Sequence, residues 1–249
     1  MNALRIERLT KRFGALAALD GVDLALPRGA RHALIGPNGA GKTTLINVLT
    51  GAIAPSSGEV FLGEERITPL AQHARVKRGL TRTYQVTSLF PGLTVLESVT
   101  LALLEREGFG WRWWRRAADH REQVDEARAL LAPLRLDADA DRRTSELAYG
   151  RQRLLEIALG LASRPRILLL DEPAAGIPAG ESVEVLDIVA RLPADVTVLF
   201  IEHDMGLVFR YAERITVLVA GRVLAEGTPA EIAADERVRA VYLGEERDG

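Results

Sequence analysis

The residues Leu34-Ile35-Gly36-Pro37-Asn38-Gly39-Ala40-Gly41-Lys42-Thr43-Thr44 have the types and spacing needed to grip phosphate. Gly36 and Gly41 bracket four residues and Lys42-Thr43 follows, the pattern of a phosphate-cradling loop. Gly36, Gly39 and Gly41 let the backbone take positive φ and approach a phosphate with no Cβ in the way. With Pro37, Asn38 and Ala40 between them, the successive N–H groups form an anion nest. It lies at the mouth of a helix beginning near Gly41, where the helix dipole also favours negative charge. Lys42 is placed to reach β- and γ-phosphates, and the Thr43 hydroxyl to hold Mg²⁺. The expectation is a nucleoside triphosphate site.

A second set of chemical groups lies downstream. Ile167-Leu168-Leu169-Leu170-Asp171-Glu172-Pro173 is an apolar run ending in two carboxylates. A buried central strand ending there would bring Asp171 beside the phosphate loop to hold Mg²⁺, commonly through water. Glu172, one step further out, would polarise an attacking water. Val196 to Ile201 is another apolar strand, running through Glu202 to His203-Asp204. A histidine at the carboxyl end of a strand in such a sheet lies where ligands bind and could hydrogen-bond a γ-phosphate. Ser145 to Arg153 opens a helix with Gly150 at its entry, a second anion-binding device. One nucleotide does not need two such mouths in one subunit, which hints at a site shared between two copies. Upstream, Lys11-Arg12-Phe13-Gly14 leaves two readings: Phe13 stacks on a purine base, or it closes a small sheet as a core residue.

The elements that must position these groups follow from periodicity. Leu4 to Leu9 and Leu19 to Leu26 alternate with period two and read as half-buried strands, the second ending at the turn Pro27-Arg28-Gly29. Arg31 to Ile35 is a short buried strand entering the loop, and Thr44 to Leu49 a helix leaving it. Glu59 to Gly63 reads as a strand, Gln72 to Arg78 as a helix stopped by Gly79, and Thr81 to Val86 as a strand ending near Gln85. Thr94 to Glu107 is a helix with Thr94 as N-cap, Glu97 as capping-box partner and Gly108 as stop. Asp119 to Leu134 is another, with Val124, Ala127, Leu130, Leu131 and Leu134 on one stripe. The helix opened near Ser145 runs to about Ser163. Ile215 to Val219 and Arg222 to Ala225 form a terminal hairpin, and Pro229 to Ala234 and Glu236 to Leu243 are short helices.

Bulk properties narrow the classes. Hydrophobic residues make up 47% of 249, enough for a substantial core, yet no run approaches the length of a membrane span. Met1 to Arg5 leads into a charged, alternating segment with no secretory leader, so a cytoplasmic protein is expected. The absence of cysteine excludes disulfides and thiolate metal sites. Residues 1–120 carry 16 Lys/Arg against 10 Asp/Glu, the remainder 16 against 24. A basic half around a phosphate site suits a nucleotide binder, and no nucleic-acid partner is read from it. The linker Gly108 to Arg116 holds Trp111, Trp113 and Trp114 among arginines. It reads as a headgroup-level membrane contact or partner surface, or as local packing with solvated arginines.

Taken in order, the phosphate loop, Gln85, Leu147-Ala148-Tyr149-Gly150-Arg151, Ile167 to Pro173 and His203 resemble the ATP-binding subunit of ABC transporters over essentially the whole chain. Within that family the sequence looks most like the ATPases of branched-chain amino acid importers. The marks are Ala148-Tyr149-Gly150, Asp171 to Gly176, Ile201 to Met205, the insert after Leu104 and the tail Val241 to Glu245. The resemblance implies an α/β fold, a P-loop NTPase with a RecA-like parallel core, an N-terminal antiparallel β subdomain and an inserted helical subdomain. It implies one ABC ATPase domain over 1–249, with 1–88 and 164–249 as the catalytic core with its β subdomain and 89–163 as the helical, signature-bearing subdomain. Carried onto these positions, Phe13 stacks on the base, Gln85 senses Mg²⁺ and the attacking water, Glu172 is the base and His203 clamps the γ-phosphate. Pro37, Asn38, Ala40 and Thr44 complete the ATP cradle, and residues 147–151 meet ATP held by an opposite subunit. The implied partners are a second ABC ATPase subunit (homodimer or heterodimer), two transmembrane permease subunits and, indirectly, a substrate-binding protein. The implied place is the inner face of the cell membrane.

Departures from the family pattern are Ala148 in place of a serine, Arg151 in place of a glutamine, and Pro178 at a position usually polar. Arg151 either adds a cation to the triphosphate or is solvated. Other functions consistent with the resemblance are the ATPase of a lipid- or lipopolysaccharide-exporting system and a soluble ABC ATPase without a transporter. The latter usually carries coiled coils, zinc motifs or a duplicated cassette, and this chain has none. A GTPase would require an Asn-Lys-x-Asp motif, which is absent.

Overall fold

The computed structural model describes residues 1–83, 89–108 and 120–245. The expected strand end at Gln85 and the tryptophan-arginine linker lie outside the described residues, as does the expected helix start at Asp119.

Two sheets organise the chain. The first is antiparallel, in the order β2-β1-β4-β5, from β1 (Asn2–Phe13), β2 (Leu16–Pro27), β4 (Ser57–Leu62) and β5 (Glu65–Arg66). The second runs β10-β9-β3-β8-β7-β6, from β3 (Arg31–Ile35), β6 (Leu80–Arg82), β7 (Ile167–Asp171), β8 (Thr197–Ile201), β9 (Arg214–Val219) and β10 (Arg222–Gly227). Its five strands from β9 to β6 are parallel, and only β10 returns antiparallel. In a parallel sheet covered on both faces, successive residues serve opposite cores. Ala33, Ile35, Leu168, Leu170, Val198 and Phe200 join the core on the helical side. Leu34, Ile167, Leu169, Leu199 and Ile201 join the core shared with the antiparallel sheet.

Helix α1 (Lys42–Thr50) is sandwiched in that second core, burying Leu45, Ile46, Val48 and Leu49. Its far end is held by Arg75, on α2 (Gln72–Lys77). The buried guanidinium donates to the Val48 and Leu49 carbonyls at 2.7 Å each. A cation on the last carbonyls of a helix satisfies groups that have no helical partner and complements the dipole. The helix that presents the phosphate loop is therefore fixed at both ends. On the other face, α3 (Val95–Arg106), α4 (Arg121–Leu131) and α5 (Tyr149–Ala162) pack together through Val99, Leu103, Leu131, Leu154 and Ala158. Thr94 and Glu97 form the expected capping box on α3. The chain continues through α6 (Ala179–Ala190), α7 (Met205–Tyr211), α8 (Pro229–Ala234) and α9 (Glu236–Glu245).

Several elements differ from their sequence expectations, among them the helix expected to open at Ser145, which begins as α5 at Tyr149 after a tight turn over residues 144–146. β1 and β2 are 12 residues each, well beyond the alternating segments. Antiparallel pairing carries them through the polar tip, where Arg12 faces Ala17 and Phe13 faces Leu16. Helix α4 ends at Leu131, and residues 132–134 form a tighter turn. Pro133 lacks the N–H that a further α-turn requires, and Arg135 follows at φ 57.

His32, the second residue of β3, is fully buried with Nε2 2.7 Å from the Thr216 hydroxyl. Burial, aided by the nearby Arg214 charge, pulls its pKa from 6.5 down to about 4. Between these values the unfolded chain binds the proton and the folded chain does not, so stability falls as pH drops. The unfolding free energy is expected to decline by up to about 3 kcal/mol from pH 6.5 to pH 4 on account of this group. Urea titrations across that range, repeated on His32→Gln, check it: the variant's profile should be flatter there.

Candidate functional site

The carboxyl end of the parallel sheet is where the chemical groups gather. β3 is buried throughout and delivers the loop at Gly36 (φ 153), with Gly39 at φ 77 and Gly41 at φ 105 as the N-cap of α1. These angles are outside the range that side-chain-bearing residues favour. Space is short as well. A Cβ on Gly36 would collide with the Leu218 carbonyl oxygen, and one on Gly41 with that of Ala18. The loop is tied to the β9–β10 turn, where the Gly221 N–H donates to the Ala40 carbonyl at 2.9 Å. No side chain caps the first turn of α1. Its amides are thus the kind of helix mouth that takes an anion. Lys42 is buried and folds back over the loop, Nζ donating to the Gly36 carbonyl at 2.5 Å and to Pro37 at 3.0 Å.

β7 ends at Asp171, whose Oδ2 accepts from Arg82 at 2.6 Å, and Arg82 also donates to the Asn47 side chain at 2.7 Å. Neither Arg82 nor Asn47 stands out by pattern in the sequence; only strand order sets β6 beside β7. Glu172 follows at φ 49, in left-handed space where a residue with a side chain bears roughly 1–3 kcal/mol of strain. Its N–H donates to the Ile201 carbonyl at 3.0 Å, and its Oε1 lies 2.8 Å from Nε2 of His203. Behind this pair, Glu202 is buried and accepts from the Ala174 N–H at 2.8 Å. Burial pushes its carboxyl pKa up, against the Ala174 and His203 backbone hydrogen bonds that favour the charged form. Glu202 thereby fastens the loop after β7 to the loop after β8.

A cleft of about 530 Å³ unites these groups. Asn38 to Thr44, Asp171, Glu172 and His203 line it together with Phe13. Phe13 is 51% exposed at the tip of the β1–β2 hairpin, which excludes the core reading, and Leu16 opposite it is more open still. Leu16, Ala17, Ala18, Ile201, Ala220 and Gly221 also line the cleft. None of these carries chemistry that a pattern search would single out. Thr43 and Asp171, a hydroxyl and a carboxylate lining the same cleft, suit Mg²⁺, which takes one or two protein oxygens and completes its shell with phosphate and water.

The signature residues Leu147 to Arg151 do not line this cleft. Ala148 is the N-cap of α5 without a side-chain cap, so this helix mouth too is open to an anion. Tyr149 lies half-exposed over Gly176, and Gly150 fits closely beside the Glu181 side chain. Arg151 is neither fully solvated nor in the cleft: it donates to the Arg135 carbonyl at 2.6 Å. Gln85 lies outside the described residues.

A parallel sheet feeding a glycine-gated loop into a buried helix mouth defines a P-loop nucleotide-binding protein. The ABC transporter family profile matches residues 19–175, and that of the branched-chain amino acid ATP-binding cassette transporter matches residues 222–248. The chain belongs to the ABC transporter family, as an ATP-hydrolysing cassette. It is 40% identical over 251 residues to the high-affinity branched-chain amino acid transport ATP-binding protein BraF of Pseudomonas aeruginosa, covering 97% of this chain and 98% of that protein. An ATP-binding cassette of an ABC transporter solved in its ADP conformation superposes with a TM-score of 0.83. The two are 31% identical, over 98% of this chain and 99% of the other. A bacterial ABC transporter cassette solved as a dimer superposes with a TM-score of 0.75 at 27% identity, over 91% of this chain and 98% of the other.

The two kinds of glycine can be separated by experiment. Gly39→Ala meets open space and should lose only the left-handed backbone allowance, about 1–2 kcal/mol. Gly36→Ala also strikes the β9 backbone and should lose clearly more. Denaturant unfolding without nucleotide compares them, and equal losses would show that the Leu218 contact is unimportant.

Proposed function

We propose that this cassette binds MgATP in the cleft between Phe13 and the phosphate loop and hydrolyses it in a pair with a second ABC ATPase subunit, identical or related. The pair would power uptake of branched-chain or related amino acids through two membrane-spanning permease subunits supplied by a substrate-binding protein. The observation that carries the catalytic reading is the convergence of Phe13, Lys42, Thr43, Asp171, Glu172 and His203 on one cleft while a second open helix mouth, at Ala148, lies outside it. A helix mouth with no ligand of its own subunit is what a shared nucleotide requires. The dimeric form of the similar cassette supports the pairing. The BraF likeness and the match at residues 222–248 support the substrate class. Among the described residues no helix is long and apolar enough to cross a membrane, consistent with a subunit held at the inner face by its partners.

In this reading the base stacks on Phe13, and Lys42 exchanges the Gly36 and Pro37 carbonyls for β- and γ-phosphate oxygens. Thr43 and Asp171 hold Mg²⁺, which when bound neutralises charge on the phosphates. Glu172 accepts the proton of the attacking water, and His203, hydrogen-bonded to it, also reaches the γ-phosphate. Residues 147–151 close over the ATP of the opposite subunit through backbone N–H groups, Ala148 having no hydroxyl to offer. Cleavage and phosphate release remove the bridge, and the pair reopens, a ligand-biased two-state element.

Glu172→Gln is expected to bind ATP, accumulate as a dimer on size-exclusion chromatography and hydrolyse at least about 100-fold more slowly, about 2.7 kcal/mol of barrier. Lys42→Ala should lose tight ATP binding in equilibrium titration. Normal turnover in the first variant, or parental affinity in the second, would refute the site.

A further inference from the structure

Helix α5 buries an ion pair that the hydrolytic scheme above does not use. Arg153 is 4% exposed and Glu156 5%, and their charged groups meet at 2.8 Å, one turn apart on the same helix. Stability alone gives little reason to keep such a pair, since well-packed apolar residues often serve as well or better in its place. The second arm of the guanidinium reaches elsewhere: it donates to the backbone carbonyl of Glu172 at 3.1 Å.

That carbonyl belongs to the residue at φ 49 whose side chain points at His203. The Glu172 N–H is held by Ile201 of β8 and its C=O by Arg153 of α5, so the peptide groups on both sides of a strained residue are anchored to different elements. Helix α5 touches the same loop once more. Tyr149, one turn before Arg153 and 6.0 Å from its guanidinium, packs over Gly176. The helix that opens with Leu147-Ala148-Tyr149-Gly150 is thus joined twice to the loop that carries the carboxylate of its own subunit.

We propose that Arg153 is a positioning residue for Glu172. Its planar fork, neutralised by Glu156 on one arm, clamps the Glu172 carbonyl with the other, and so transmits the position of the signature-bearing helix to the base in the same chain. An arginine is suited to this because two of its N–H groups span two acceptors at a fixed separation, whereas a lysine offers one point charge. When residues 147–151 engage a nucleotide on the partner subunit, the helix they begin also sets the aim of Glu172. The two sites of a pair are then linked through Arg153.

This inference rests on Glu172 being the base, and the test separates the two. Single-turnover cleavage of MgATP and equilibrium ATP binding in EDTA are measured on the full chain for Arg153→Met, Arg153→Lys, Glu156→Gln, Glu172→Gln and the double variant Arg153→Met/Glu172→Gln. Arg153→Met should cleave at least about tenfold more slowly, about 1.4 kcal/mol of barrier, with ATP affinity held within about twofold. Arg153→Lys should recover part of the rate. On the Glu172→Gln background, Arg153→Met should cost less than about twofold further, because groups acting as a unit do not lose rate multiplicatively. The clamp is overturned if Arg153→Met cleaves at the parental rate, if its defect multiplies with that of Glu172→Gln, or if ATP affinity falls in step with rate. Should Arg153→Met fail to fold, Arg153→Lys and Glu156→Gln are judged by the same three criteria. A parental rate in Glu172→Gln alone sinks the base assignment, whereas a slow Glu172→Gln beside a parental Arg153→Met sinks only the clamp.

Discussion

A cradle built of backbone N–H groups works only if nothing stands between it and its anion, and the surrounding architecture follows from that requirement. Gly36 passes so close to the Leu218 carbonyl, and Gly41 so close to that of Ala18, that strands from both sheets are drawn against one short loop. The Gly221 N–H on the Ala40 carbonyl closes the arrangement from the β9–β10 turn. Helix α1 is then buried on its apolar face and held at its far end by Arg75. Each contact removes a way for the loop to relax. Amides aimed in advance lose little on binding phosphate, which is the basis of preorganised electrostatic stabilisation.

The charged groups around the cradle have partners within the chain. Lys42 rests on loop carbonyls, Asp171 on Arg82, and Glu172 on His203. In the proposed reading a nucleotide arriving here would exchange these hydrogen bonds for its own, so their net contribution to affinity would be far smaller than the gross contacts suggest. Asp171 would then pass from Arg82 of β6 to the Mg²⁺ that accompanies the nucleotide. Glu202, buried and bonded to the Ala174 backbone, joins the loop after β7 to the loop after β8 independently of those groups.

Much of the nucleotide site was legible along the chain because its members lie in short contiguous runs. Gly36 to Thr44 is one turn and one helix mouth; Asp171-Glu172 ends one apolar strand and His203 lies two residues past another. In an open parallel sheet, strand ends come together at one edge whatever the loops do. Phe13 was legible only as a choice between two roles, since an aromatic beside a glycine says nothing about its exposure. The hairpin that carries it outward depends on pairing between β1 and β2 beyond their alternating segments. Helix α4 was read too long because a stripe of apolar residues hid the stop imposed by Pro133.

Sequence alone determined the chemistry: a phosphate loop, two carboxylates at a strand end, a histidine two residues past another, and a second helix mouth with a glycine at its entry. These are local features, set by residue type, period and turn propensity within about ten positions. Tertiary structure decided how those groups are held: Arg82 against Asp171, Arg151 turned to the Arg135 carbonyl, Glu202 between two loops, and Arg153 reaching from α5 to Glu172. Each joins residues on different elements, 16 to 89 positions apart. No periodicity reports such pairs, because they exist only once strand order and helix packing have put the elements side by side.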